Sequence, residues 1–128
     1  MSTTRTTQYR RMADHFEPEV AQDPHAQRRL RGQLEQIDYT AFASNREVIG
    51  RILGQADAAK FQRLAVAAAC VRAQWVSEAL AATENGSTLT PTQVERLGHL
   101  RASFEELTEV YEAMRRMVER GYLGYRAP

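Results

Sequence analysis

An all-α fold, a helical bundle built on a long antiparallel helical hairpin, is predicted by three features of the sequence. Between Phe61 and Val118, apolar residues recur by threes and fours over two long stretches, which is the spacing of helix faces. "TENGSTLTPTQ", residues 83 to 93, separates those stretches with a helix stop followed by a helix start. Charge along the second stretch is ordered as a helix dipole favours: Glu105, Glu106, Glu109 and Glu112 come before Arg115, Arg116 and Arg120.

Taken in order, residues 1 to 22 are polar, contain Pro18 and hold no sustained apolar period, so a flexible N-terminal arm is expected there. Asp23 is placed to cap a first helix and Pro24 to occupy its first turn, where a missing N–H costs nothing. Leu30, Leu34, Ile37 and Ala41 follow at helical spacing, giving a helix over about 24 to 41 that Gly32 weakens. Ser44 and Asn45 are capping candidates for a second, brief helix with Val48, Ile49, Ile52 and Leu53 on its apolar face, ending near Gly54. Two short N-terminal helices are therefore expected.

Asp57 is the natural cap of a long helix over about 57 to 83. Phe61, Leu64, Ala68, Val71 and Trp75 form one apolar line on it, and Ala65, Ala69, Val76 and Leu80 a second. A face that broad should touch two neighbours. Asn85 and Gly86 stop this helix, and Thr90, Pro91 and Gln93 supply the cap, first residue and capping-box partner of the next, over about 91 to 120. Its seam is Val94, Leu97, Leu100, Phe104, Leu107, Tyr111, Met114 and Val118. A turn at Gly98, of the helix-turn-helix kind, would reset that period; the spacing runs through Gly98 unchanged, so one uninterrupted helix is expected. A seven-residue repeat sustained this long suits a partner helix at roughly 20°. The short connection makes the preceding helix that partner, and the two together form the hairpin. Residues 23 to 120 then make one helical domain, and 121 to 128 a C-terminal aromatic tail.

Composition bounds the function. Of 128 residues, 43% are hydrophobic and 26% charged, with a net charge of +1, so neither disorder nor a phosphate-binding surface is indicated. "LAVAAACV", 64 to 71, is too short to span a bilayer, and the N-terminal residues carry no apolar run of signal-peptide type; a soluble, cytoplasmic protein is expected. Cys70 lacks a disulfide partner and, set among small apolar residues, reads as a buried small hydrophobe. His15, His25 and His99 have no Glu three residues before them, and Glu95 with His99 is a single pair, so no metal site or cofactor is expected. Phosphate loops, nucleophile elbows and paired cysteines are absent from the sequence, and no enzyme is expected.

What remains is a non-enzymatic helical protein that binds another protein, as an adaptor, chaperone, inhibitor or accessory subunit, with a homodimer possible. Trp75 is the candidate anchor on the helix face. Tyr122, Leu123 and Tyr125 are candidates in the tail, which either packs back over the open end of the hairpin or is offered to a partner as an aromatic peptide. The alternative is a nucleic-acid-associated regulator using Arg5, Arg10 and Arg11 of the arm with Arg28, Arg29 and Arg31 of the first helix.

Overall fold

The computed structural model describes residues 23 to 128. The arm expected over 1 to 22, with Arg5, Arg10 and Arg11, lies outside the described residues. Three helices and two very short strands follow in the order α1 (Pro24–Leu53), β1 (Gln55–Asp57), α2 (Ala58–Ala82), α3 (Pro91–Glu119) and β2 (Gly124–Arg126). The chain divides into two compact units, Met1–Ala43 and Ser44–Pro128.

Where two short helices are expected before residue 54, the structure has one helix of 30 residues. Asp23 caps it as anticipated, its Oδ1 accepting from His25 N at 3.1 Å. The difference lies at Ser44 and Asn45: both residue types favour caps but sit inside helices when nothing forces the backbone out. Nothing does so here, since Gly32 and Gly50 remain helical and the first left-handed glycine is Gly54, at φ 73°. Gly54 N then donates to Gly50 O at 2.8 Å and closes the helix.

In the second unit, each boundary has a local chemical cause. Asp57 Oδ1 accepts from Lys60 N at 2.9 Å and starts α2. Thr90 and Gln93 form a full capping box at the start of α3, with reciprocal bonds of 2.8 and 3.2 Å. At its end, Gly121 is left-handed at φ 79°, Tyr122 N reaches Met117 O at 2.9 Å and Gly121 N reaches Val118 O at 3.1 Å. These paired bonds are a Schellman stop.

α3 runs through Gly98 without a break, as the unshifted apolar period requires. It packs closely against α2. Phe61 meets Tyr111 edge to face at 5.3 Å between ring centroids, the Arg72 guanidinium lies 4.5 Å from the centroid of Phe104, and Arg96 Nε bonds Glu78 Oε1 at 3.2 Å. Leu100 is buried, while Leu97, Phe104, Leu107, Tyr111, Met114 and Val118 are half-buried and Val94 is exposed.

Three side chains, Ala56, Leu100 and Leu123, are the buried apolar residues among those described. Two of them belong to a strand pairing that the sequence does not foreshadow, although packing back of the tail is one of its two expectations. β1 and β2 pair in parallel, Gln55 opposite Gly124, Ala56 opposite Tyr125 and Asp57 opposite Arg126. The tail is thus clipped to the start of α2.

α2 departs from expectation in two further respects. Its 25 residues include a stretch of mean hydropathy 1.2, long and apolar enough by composition to cross a membrane, which the shorter "LAVAAACV" run alone did not indicate. Cys70, expected inside, is exposed. Both follow from α2 being apolar on more than one side while α3 covers one.

Candidate functional site: an aromatic corner at the tail clip

The tail clip gathers side chains from three elements. The Asp57 cap fixes the first turn of α2 and so places Ala58 and Phe61; the last turns of α3 bring Tyr111, Arg115, Val118 and Glu119; β2 adds Tyr125. Together these residues line an open concavity of about 470 Å³. Its floor is aromatic, with Phe61 between Tyr111 at 5.3 Å and Tyr125 at 6.5 Å, and its rim carries the Arg115–Glu119 pair at 3.0 Å. Such a surface offers apolar contact area together with hydroxyl and charged groups at its edge.

What holds the corner is the pairing of the strands and the ion pair beside it. Arg126 Nη2 lies 3.4 Å from Asp57 Oδ2. Lys60, the single lysine of the chain, donates through Nζ to the carbonyls of Leu53 and Gln55, neutralising the end of α1. The backbone N–H of Lys60 bonded to Asp57 is the main reason that the Asp57 carboxyl titrates below its ordinary value; partial desolvation opposes this, and the charges of Lys60 and Arg126 reinforce it.

The sign of the pH effect follows. A carboxyl whose folded value is depressed contributes fully above its unfolded value, near pH 4, and the contribution is lost as pH falls through the folded one. Asp57→Asn keeps a capping oxygen and removes the charge. It is expected to flatten the fall of Tm with acid below about pH 4 while helix content at neutral pH is retained. An acid limb identical to that of the unmodified protein would remove Asp57 from this role.

Of the residues singled out in the sequence, Tyr125 is in the corner and 46% exposed, and Tyr122 is half-buried. Leu123, at 3% exposure, is part of the clip's interior, as the packed-back alternative for the tail has it. The reason is the Schellman stop, which turns the chain so that the residue after Tyr122 points inward. Trp75, 37% exposed, is not brought to this corner, being on α2 roughly 21 Å along the axis from Phe61 at about 1.5 Å per residue. Arg28, Arg29 and Arg31 are exposed on the first turns of α1, followed within two turns by Glu35 and Asp38. In the sequence Phe61, Tyr111 and Arg115 are seam and dipole residues; their meeting with Tyr125 depends on a strand pair that spans 69 residues and has no local signal.

Elsewhere, His99 Nε2 and Glu95 Oε1 are 4.0 Å apart on an exposed face. Among the described residues there is no group of three or more His, Cys, Asp or Glu that could hold a metal ion. Comparison of the chain with family models, with curated proteins and with solved structures gives no match in any of the three.

Proposed function

We propose that this is a non-enzymatic, cytoplasmic protein that acts by binding another protein, and that its framework is an antiparallel α2–α3 hairpin. The hairpin reading is supported by the contact pairs 61 with 111, 72 with 104 and 78 with 96: as one number rises, the other falls.

One observation carries the functional reading. α3 takes up the line of Phe61, Leu64, Ala68 and Val71, all half-buried, and leaves a second apolar stripe exposed on the other side of α2. That stripe is Val66, Ala73, Val76 and Leu80, spaced by seven, three and four, with Val66, Val76 and Leu80 at 53, 45 and 67% exposure. A helix apolar on two sides is at home when both are covered. Exposed stripes of this kind mark contact surfaces. The partner is an amphipathic helix or groove of complementary apolar character, and the aromatic corner is a second point of attachment.

The test is affinity capture from a native extract with the full chain and with Val76→Asp plus Leu80→Asp. Both side chains are exposed, so the double variant should keep its helicity and Tm. Loss of captured proteins from the variant is the expected result. An identical set would contradict the reading, as would flotation of the unmodified protein with liposomes, which would assign the stripe to a lipid surface.

A further inference from the structure

α1 presents a problem distinct from that of the hairpin. It is a helix of 30 residues with no buried side chain, and Leu30, Leu34 and Ile37 are 56, 50 and 61% exposed. Helices this polar overall draw their stability from packing of an apolar stripe, not from propensity. Leu30, Leu34, Ile37 and Ala41 are spaced by four, three and four, the a/d pattern of a coiled-coil seam. An open hollow bounded by Gln33, Gln36, Ile37, Thr40 and Ala41 lies on one flank of that seam.

We propose that this seam pairs with the same seam of a second copy of the chain, antiparallel, about a twofold axis at the level of Glu35 and Gln36. Charge decides both orientation and register. Beside the seam run Arg31 and Asp38 on one flank and Gln33 and Thr40 on the other; Arg31 and Asp38 are exposed and make no ion pair among the described residues. In the proposed register Leu34 faces Ile37 of the second copy, Leu30 faces its Ala41, and Arg31 faces its Asp38, each contact occurring twice by symmetry. Sliding the copies by one heptad sets Arg31 against Arg31, or Asp38 against Asp38. A parallel pairing sets Asp38 against Gln33 and Arg31 against Ala26, without an ion pair. Opposite charges meet in one arrangement and like charges penalise its neighbours, which is how flanking residues fix partner choice in coiled coils.

The short seam and exposed flanking pairs make this a concentration-dependent and salt-weakened dimer. Pairing through α1 is independent of the partner proposed for α2. Sedimentation velocity on the full chain, from micromolar to millimolar concentration, is expected to show a monomer–dimer equilibrium that Ile37→Asp abolishes. Arg31→Asp alone and Asp38→Arg alone each place like charges at both symmetric contacts and should weaken the dimer by about tenfold. The double variant Arg31→Asp with Asp38→Arg should recover it, a readout that damage to the helix could not produce. A monomer at every concentration, association indifferent to Ile37→Asp, or a double variant no better than the singles would overturn the proposal.

Discussion

Leu100→Ala is expected to lower the unfolding free energy by about 2–5 kcal/mol, the range for truncating a buried leucine whose surroundings cannot close up. Leu100 is 6% exposed and is the one buried residue of α3. The effect is large because little else shares its burden: the neighbouring seam residues Leu97, Phe104 and Leu107 are only half-buried. Leu100→Met, which keeps most of the volume, should cost less than about 1.5 kcal/mol. Val94→Ala, at a seam position that is 55% exposed, should stay within about 0.5 kcal/mol. Denaturant unfolding of the three variants provides the comparison, and equal losses at Leu100 and Val94 would mean that the seam is not where the apolar energy is gained.

Leu123→Ala should approach the same loss, about 2–5 kcal/mol, and should add a local signature. Leu123 is 3% exposed, and its backbone N–H bonds Met117 O at 3.1 Å beside the Schellman stop. Without the leucyl side chain, the strands rest on three paired positions and the Arg126–Asp57 contact, and a two-stranded ribbon of that size is marginal by itself. Hydrogen exchange should therefore accelerate at Gln55–Asp57 and Gly124–Arg126 together, while the middle of α3 changes only as far as global stability does. Protection at the strands that survives Leu123→Ala would show that the clip is held by something other than this side chain.

Legibility in the sequence followed the range of the interaction. The cap at Asp57, the capping box of Thr90 and Gln93 and the stop at Gly121 each depend on residues within four positions, and each stands where the sequence placed it. Continuity through Gly98 was readable because a helix period carries its phase across a weak residue. At Ser44 and Asn45 the same reasoning misled: residue types that cap a helix also tolerate its interior, and only the presence of a left-handed glycine at Gly54 shows where the helix leaves its path. The clip was illegible for a different reason. "QAD" and "GYR" have no strand pattern of their own, and their pairing is imposed by where the two helices place them. The aromatic corner inherits that obscurity, since Tyr125 was visible as a candidate while Phe61 and Tyr111 were not visible as its companions. The exposed stripe on α2 was half legible: two apolar lines implied two neighbours, and Val76 and Leu80 of the second line are exposed, while Val66 and Ala73 belonged to neither line.

The framework claim, that α2 and α3 run in opposite directions over their whole length, is tested most directly by spin-label distances in a Cys70→Ser background diluted with unlabelled protein. Labels at positions 62 and 112 report adjacent ends of an antiparallel pair, with helix axes about 8–10 Å apart. Moving the second label from Glu112 to Glu95 shifts it about 26 Å along α3 at 1.5 Å per residue. An antiparallel hairpin predicts a clearly shorter distance for 62 with 112 than for 62 with 95. The reverse order, or equal broad distributions for both pairs, would contradict it.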